Sequence, residues 1–185
     1  IVFDLDSDVD GVTSVLIGID TLEAVGYRNY SVVPITEKRH GVDGATVNAV
    51  VTNEAKLLIV TDSSTDRIGF MNDMCNSLNG LKIIHIDHHQ VTSNVQPHPN
   101  IISVNSTTLP NFEYKDVSCG LLFYLLLKPV LDDLSPKVSR ELESLAYASV
   151  ITDAIPMSSN ALINFMTVAQ KNTVIHPLLT AFMEL

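Results

Sequence analysis

From Ile1 to Asn105 the chain alternates short runs rich in β-branched residues with longer stretches of helical periodicity. Ile1–Asp6, Ser31–Thr36, Leu57–Asp62, Leu81–Asp87 and Ile101–Asn105 read as strands, each bounded by polar or turn residues. Gly11–Val25, Gly44–Glu54 and Asp66–Leu78 read as the helices between them. Strand–helix alternation with nearly continuous apolar strands predicts an α/β fold: a mainly parallel sheet of about five strands, with helices on both faces. Past Asn105 the pattern changes. A polar loop over Ser106–Asp116 leads into helical segments at Val117–Leu131, Pro136–Thr152 and Asn160–Asn172, and Pro177 opens a last short helix. The expectation is one domain over residues 1–185 with a helical C-terminal part. Because the chain starts inside a strand and stops inside a helix, it reads as part of a larger protein.

Composition sharpens this picture. With 46% hydrophobic and 17% charged residues, the chain is a folded globular domain rather than a disordered one. The longest apolar run, Gly120–Leu127, ends at Lys128-Pro129, far short of the roughly 20 residues a membrane helix needs. Its opening residues read as a strand, without the basic region and cleavage site of a leader. Cys75 and Cys119 are too few for a disulfide framework, so a cytoplasmic protein without a membrane partner is expected. The net charge of −10, from 21 acidic and 11 basic residues, argues against a broadly basic nucleic-acid surface. Acids that hold divalent cations would offset part of that charge.

The chemistry lies at the ends of the strands. Asp4, Asp6, Asp8 and Asp10 close the first strand, Asp62 the third, and Asp87-His88-His89 the fourth, while Asp153 ends an apolar helix. In a parallel α/β sheet the carboxyl ends of the strands share one edge, and ligands bind there. Taken singly, these residues have ordinary explanations: Asp62 or Asp43 as a cap, His88-His89 as a solvated turn. Taken together, they bring carboxylates and imidazoles to one crevice, where like charges raise one another's pKa. A pair of divalent cations would relieve that repulsion. Carboxylate and imidazole donors without a cysteine pair suit Mn²⁺ or Mg²⁺. Two such ions clamp a phosphate and activate water, so metal-assisted phosphoester hydrolysis is the expected chemistry. His85 reads as core or support for the site, and His40, His98 and His176 as surface or loop histidines.

Asp87-His88-His89, after the strand Ile83-Ile84-His85-Ile86, resembles the defining motif of the DHH phosphoesterases. The family's first motif resembles Asp6-Ser7-Asp8-Val9-Asp10-Gly11-Val12-Thr13-Ser14, in the form typical of RecJ-like exonucleases. Its second is similar to Val60-Thr61-Asp62-Ser63, and its fourth to Ala148-Ser149-Val150-Ile151-Thr152-Asp153-Ala154-Ile155-Pro156. Smaller echoes are Pro34 through Arg39 to Gly44, and Val104-Asn105 before Ser118-Cys119-Gly120. The resemblance runs from about Val2 to Leu185. It implies Asp8, Asp10, Asp62, His88 and Asp153 as metal ligands, Asp62 bridging two ions, and Asp6 as a further acid close to the metals. It implies that His89 touches the scissile phosphate and that Asp87 orients the histidine pair. It offers Arg39 as a phosphate contact, and Ser118 and Gly120 as carriers of backbone N–H groups at a helix N-terminus. The implied substrate is single-stranded nucleic acid, DNA ahead of RNA, degraded from the 5′ end. The family also implies a C-terminal substrate-binding domain with a glycine-rich motif, which these 185 residues do not contain. Asp4 stands where many members carry a histidine ligand.

Three other readings compete. Within the same chemistry, the substrate is a cyclic dinucleotide, a nanoRNA or pyrophosphate, although those relatives carry a His-x-x-Pro-Asp first motif. Ile1-Val2-Phe3-Asp4-Leu5-Asp6 resembles the nucleophile strand of haloacid-dehalogenase-like phosphatases, a reading that leaves Asp87-His88-His89 unexplained. A metal-binding module without catalysis is the third, and the complete acid set argues against it.

Overall fold

The computed structural model describes residues 1–35, 40–114 and 116–184. Five parallel strands, β1 (Val2–Leu5), β2 (Ser31–Val32), β3 (Leu57–Thr61), β4 (Lys82–Asp87) and β5 (Ile101–Asn105), form one sheet in the order β2-β1-β3-β4-β5. The crossovers are α1 (Val9–Ala24), α2 (Gly44–Thr52) and α3 (Ile68–Ser77), the last preceded by a 3₁₀ turn over Thr65–Arg67. Four helices follow: α4 (Cys119–Leu134), α5 (Pro136–Thr152), α6 (Asn160–Ala169) and α7 (Pro177–Met183). This is the expected α/β architecture with its helical C-terminal part.

Side-chain alternation along the strands sorts the core into two layers. Phe3, Leu5 and Ile59 face one side, where they pack with Ile17 of α1, Leu121 of α4 and Leu142 of α5. Val2, Leu58 and Val60 face the other and pack with Val50 of α2 and Met71 of α3. Both faces of the sheet are thus covered, as the apolar strands require. Among the described residues, no helix is long and apolar enough to cross a membrane.

The register places the site. Leu5 pairs with Thr61, Thr61 with Ile86, and Ile86 with Val104. The next residue on each strand, Asp6, Asp62, Asp87 and Asn105, therefore emerges at one level. The chain leaves β1 toward β2 on one side and returns to β3 on the other, so the β1–β3 boundary is the point where strand order reverses. Crevices for ligands open at such points.

The second strand is shorter than its sequence suggests. Val33 still donates to the Phe3 carbonyl at 2.9 Å, but Pro34 has no N–H to continue the ladder, so the edge strand ends. Thr36, the predicted end of that strand, lies outside the described residues. Helix α4 runs past its expected end to Leu134 with Pro129 inside it.

Leu142 is fully buried where α5 meets α1 and α4. Leu142→Ala is expected to destabilise the chain by about 3 kcal/mol, against under about 1 kcal/mol for Leu126→Ala on the exposed side of α4, as measured by urea unfolding.

Candidate metal centre

Asp8 caps α1 through its Oδ1, which accepts the Gly11 N–H at 2.9 Å. That turn is tight: a Cβ on Gly11 would lie 2.3 Å from the Asp6 carbonyl oxygen, so only glycine lets the helix start this close to the strand end. Two residues after the cap, Asp10 is buried and points at the N-terminus of α4. Its Oδ2 accepts the Cys119 N–H at 2.7 Å and its Oδ1 the Gly120 N–H at 2.8 Å. The positive end of one helix thereby holds an acid from the first turn of another. Gly120 permits this contact, since a Cβ there would meet Ser149 Oγ at 2.6 Å and Asp10 Oδ1 at 3.1 Å.

Asp62 follows β3 with a positive φ of 61°, and Ser64 with one of 76°, both in the left-handed region. Aspartate tolerates that conformation better than most residues, and here it accompanies a carboxylate buried in the crevice. His88 Nε2 sits among three carboxylates, 3.2 Å from Asp62 Oδ1, 3.6 Å from Asp153 Oδ2 and 3.8 Å from Asp10 Oδ2. Two overlapping donor groups result, Asp10–His88–Asp153 and Asp62–Asp87–His88–His89, each with its ligand atoms within 4.8 Å of one another. Asp8 stands exposed at the rim, close enough for its charge to act on both Asp62 and Asp153.

The electrostatics follow from this crowding. Burial, then the charges of Asp10, Asp8 and Asp87, push Asp62 up to about 10. Burial raises Asp10 to about 6 even though the α4 N–H groups and His88 pull it down. Asp153 is raised as well, by burial and by Asp8. Asp87 behaves oppositely. Burial pushes it up, but the His85 imidazole 3.5 Å away and hydrogen bonds from His89 and Thr65 outweigh that and hold it well below the usual carboxylate range. Its Oδ2 accepts the Thr65 hydroxyl at 2.6 Å, and its Oδ1 accepts His89 Nδ1 at 2.7 Å and the His88 N–H at 2.8 Å. The bond to Asp87 raises the His89 imidazole above its ordinary value.

A divalent cation fits these residues. Among the described residues no hydrogen bond reaches the buried Asp62 Oδ1, although His88 Nε2 is nearby, and an orphaned carboxylate oxygen among other acids is what a cation satisfies. Oxygen-rich donors with one central imidazole match Mn²⁺ and Mg²⁺.

Not every expected residue joins this cluster. Asp6, expected near the metals, turns its carboxylate elsewhere: Oδ1 accepts the Ser7 N–H at 2.6 Å and Oδ2 meets His40 Nδ1 at 2.7 Å. The Gly120 N–H, expected to face a phosphate, is taken by Asp10. Ser118 is buried, its hydroxyl 2.7 Å from Ser149 Oγ, so it braces α4 against α5. Arg39 lies outside the described residues. Asp4 is fully buried and accepts a hydrogen bond from the Thr46 hydroxyl, which ties it to α2. Sequence reasoning missed His40, Thr65 and the full role of Asn105. The Asn105 amide donates to the His89 carbonyl at 2.9 Å and to Thr65 Oγ1 at 3.1 Å, fastening the turn after β4. The signal for His40 was its place beside Arg39 in the Pro34–Gly44 segment; its contacts with Asp6 and His89 are long-range.

These shifts set the pH dependence of the metal-free chain. A carboxyl whose folded pKa is raised contributes stability below its unfolded value, and that stability is lost as pH rises through the folded value. Asp10 and Asp62 both act in this direction, and so does the raised His89. Without metal, the melting temperature is expected to fall between roughly pH 5 and pH 8; with saturating Mn²⁺ the fall should vanish, because binding displaces the retained protons. Differential scanning fluorimetry across that range, with and without chelator, checks both curves.

The comparisons with known proteins bear on the fold and the family. No curated protein matches the chain by sequence. Among solved structures, exonuclease RecJ bound to manganese superposes with a TM-score of 0.70 at 22% identity, over 89% of this chain and 42% of that one. RecJ from Thermus thermophilus in complex with Mn²⁺ gives 0.67 at 22% identity, over 89% of this chain and 23% of that one. An exopolyphosphatase-related protein from Bacteroides fragilis gives 0.54 at 15% identity, over 92% of this chain and 52% of that one. The chain thus spans about half or less of the length of each neighbour, and these likenesses establish a shared fold. The model of the DHH family, N-terminal domain, matches residues 1–150, a stretch that holds β1 through β5 and every candidate ligand but Asp153, and on that match this chain belongs to the DHH family of phosphoesterases.

Proposed function

We propose that this chain is the catalytic part of a RecJ-like exonuclease that hydrolyses phosphodiester bonds of single-stranded DNA from the 5′ end with a pair of divalent cations, Mn²⁺ ahead of Mg²⁺. The observation that carries the proposal is the convergence of Asp10, Asp62 and Asp153 on His88 Nε2 at the carboxyl edge of the sheet. Asp8, Asp10, Asp62, His88 and Asp153 would hold the ions, with Asp62 between them. Bound there, the cations would polarise the phosphate and lower the pKa of an attacking water. Two manganese-bound RecJ structures of the same fold support the choice of metal and substrate class. With both cysteines free and buried, a reducing cytoplasm suits the chain.

The protein's own groups divide the remaining work. Asp87 is held ionised by its hydrogen bonds and accepts Nδ1–H of His89, which fixes that imidazole's tautomer and frees Nε2. His89, about half exposed and raised in pKa by that partner, would donate to a phosphate oxygen as negative charge builds there. The α4 N-terminus fixes Asp10, and Asp62 follows β3 on a left-handed turn that leaves its carboxylate buried in the crevice. A C-terminal substrate-binding domain belongs to the proposal as the surface for the rest of the strand.

A second reading has specific support. The exopolyphosphatase-related neighbour and the net charge of −10 favour a small phosphorylated substrate, such as a cyclic dinucleotide, nanoRNA or pyrophosphate.

Asp62→Ala is expected to lower Mn²⁺-dependent hydrolysis at least about 100-fold while the far-UV circular dichroism spectrum is kept; retained turnover would remove Asp62 from the site. With Mn²⁺ and end-labelled oligonucleotides, single-stranded DNA should yield mononucleotides from its 5′ end faster than cyclic dinucleotides or pyrophosphate turn over. The reverse ranking selects the second reading.

A further inference from the structure

We propose that His40 is a second imidazole contact to the phosphate being cleaved, acting beside His89; the inference rests on the phosphodiesterase reading above. Two aspartate–histidine pairs of the same form border the crevice. Asp87 Oδ1 lies 2.7 Å from His89 Nδ1, and Asp6 Oδ2 lies 2.7 Å from His40 Nδ1. In each pair the carboxylate is sheltered and the imidazole open. The side chains of Asp87 and Asp6 are 0% and 12% exposed, those of His89 and His40 46% and 55%. A carboxylate only accepts, so each bond takes its proton from Nδ1 and leaves Nε2 for another partner. The two rings meet edge to face, with centroids 5.7 Å apart and an interplanar angle of 86°. At that spacing the two Nε2 atoms, one past the end of β4 and one on the loop before α2, are able to reach different oxygens of one phosphate.

His40 is not a loose surface histidine. The next residue but one, Val42, is buried and donates its N–H to Ser64 Oγ at 2.9 Å. Gly41 between them has a φ of +86°, and a Cβ there would meet the same Ser64 Oγ at 2.9 Å. The loop that carries His40 is therefore pinned to the turn that carries Asp62. This placement also gives Asp6 a purpose. Its two oxygens are taken by Ser7 and His40, as the Asp87 oxygens are taken by donors around His89.

A structural alternative makes His40 only a brace for Asp6, through Nδ1. Two substitutions separate the cases, because the asparagine amide takes the place of Nδ1 and the glutamine amide that of Nε2. In the Mn²⁺-loaded chain acting on a 5′-phosphorylated oligodeoxynucleotide, His40→Asn is expected to lower kcat/KM by about 10- to 100-fold. His40→Gln should stay within about fivefold of the unaltered chain, and both variants should bind Mn²⁺ unchanged by electron paramagnetic resonance titration. Asparagine performing as well as glutamine, or a matching loss of Mn²⁺ affinity, overturns the proposal. Should the unaltered chain cleave no phosphodiester at all, the activity reading fails by itself, and His40 is judged by equilibrium binding of inorganic phosphate to the Mn²⁺-loaded protein. Binding at least about fivefold weaker in His40→Asn than in His40→Gln upholds the contact; equal binding in the two rejects it.

Discussion

Repulsion among acids that must share one sheet edge is the constraint around which this molecule is built. Asp10, Asp62 and Asp153 crowd His88, with Asp8 at the rim, and burial strengthens every one of those interactions. The fold answers with donors on one side only. The N-terminus of α4 clasps Asp10 with two backbone N–H groups, which requires glycine at position 120 and brings α4 hard against α5. The helical C-terminal part is thus joined to the sheet through the site itself, and the packing of Leu121 and Leu142 against α1 supports the contact from below. Asp62 receives no such help, and its orphaned oxygen, with His88 Nε2 3.2 Å away, is where a cation could be held.

Much of this was legible in the sequence, and for a physical reason. Parallel strands buried on both faces must be apolar throughout, so the acids that end them stand out, and the level register of β1, β3 and β4 turns three separate strand ends into one row. The predicted α5, Pro136–Thr152, matches the observed helix because proline at its first turn and an acid at its end punctuate it clearly. What was not legible depends on contacts distant in sequence. Asp4, Asp6, Asp8 and Asp10 look alike in a row, yet one is tied to Thr46, one to His40, one caps a helix and one faces α4. The period-two alternation of a strand gives way to a helical turn inside that run, so the acids separate in direction. His40 looked like a loop residue for the same reason: Asp6 lies 34 positions before it, and His89 stands past a strand end that sheet pairing alone brings near.

The shared edge also explains why buried aspartates of one chain behave in opposite ways. Asp62 and Asp87 end neighbouring strands at the same level and are both hidden from water. Asp87 is surrounded by donors, namely the Thr65 hydroxyl, the His89 ring and the backbone N–H groups of Thr65, His88 and His89, with the His85 imidazole alongside, and stays ionised far below the usual range. Asp62 is surrounded by acids and is driven to about 10. Burial is common to both, so it is the supply of hydrogen bonds that separates a carboxylate that orients from one that waits for a cation.

That distinction sorts the remaining acids without reference to any relative. Asp6 has both oxygens engaged by donors and belongs with Asp87, as the anchor of an imidazole. Asp10 is intermediate, since a backbone donor reaches each of its oxygens while Oδ2 also lies 3.8 Å from His88 Nε2. Asp153 is raised in pKa by burial and by Asp8, and belongs with Asp62. The acids therefore divide into an inner set of under-supplied carboxylates around His88 and an outer, well-supplied pair, Asp87 and Asp6, each bonded to the Nδ1 of a histidine. A hydrolytic centre for phosphate esters needs both: the first to concentrate positive charge, the second to present fixed donors where negative charge grows.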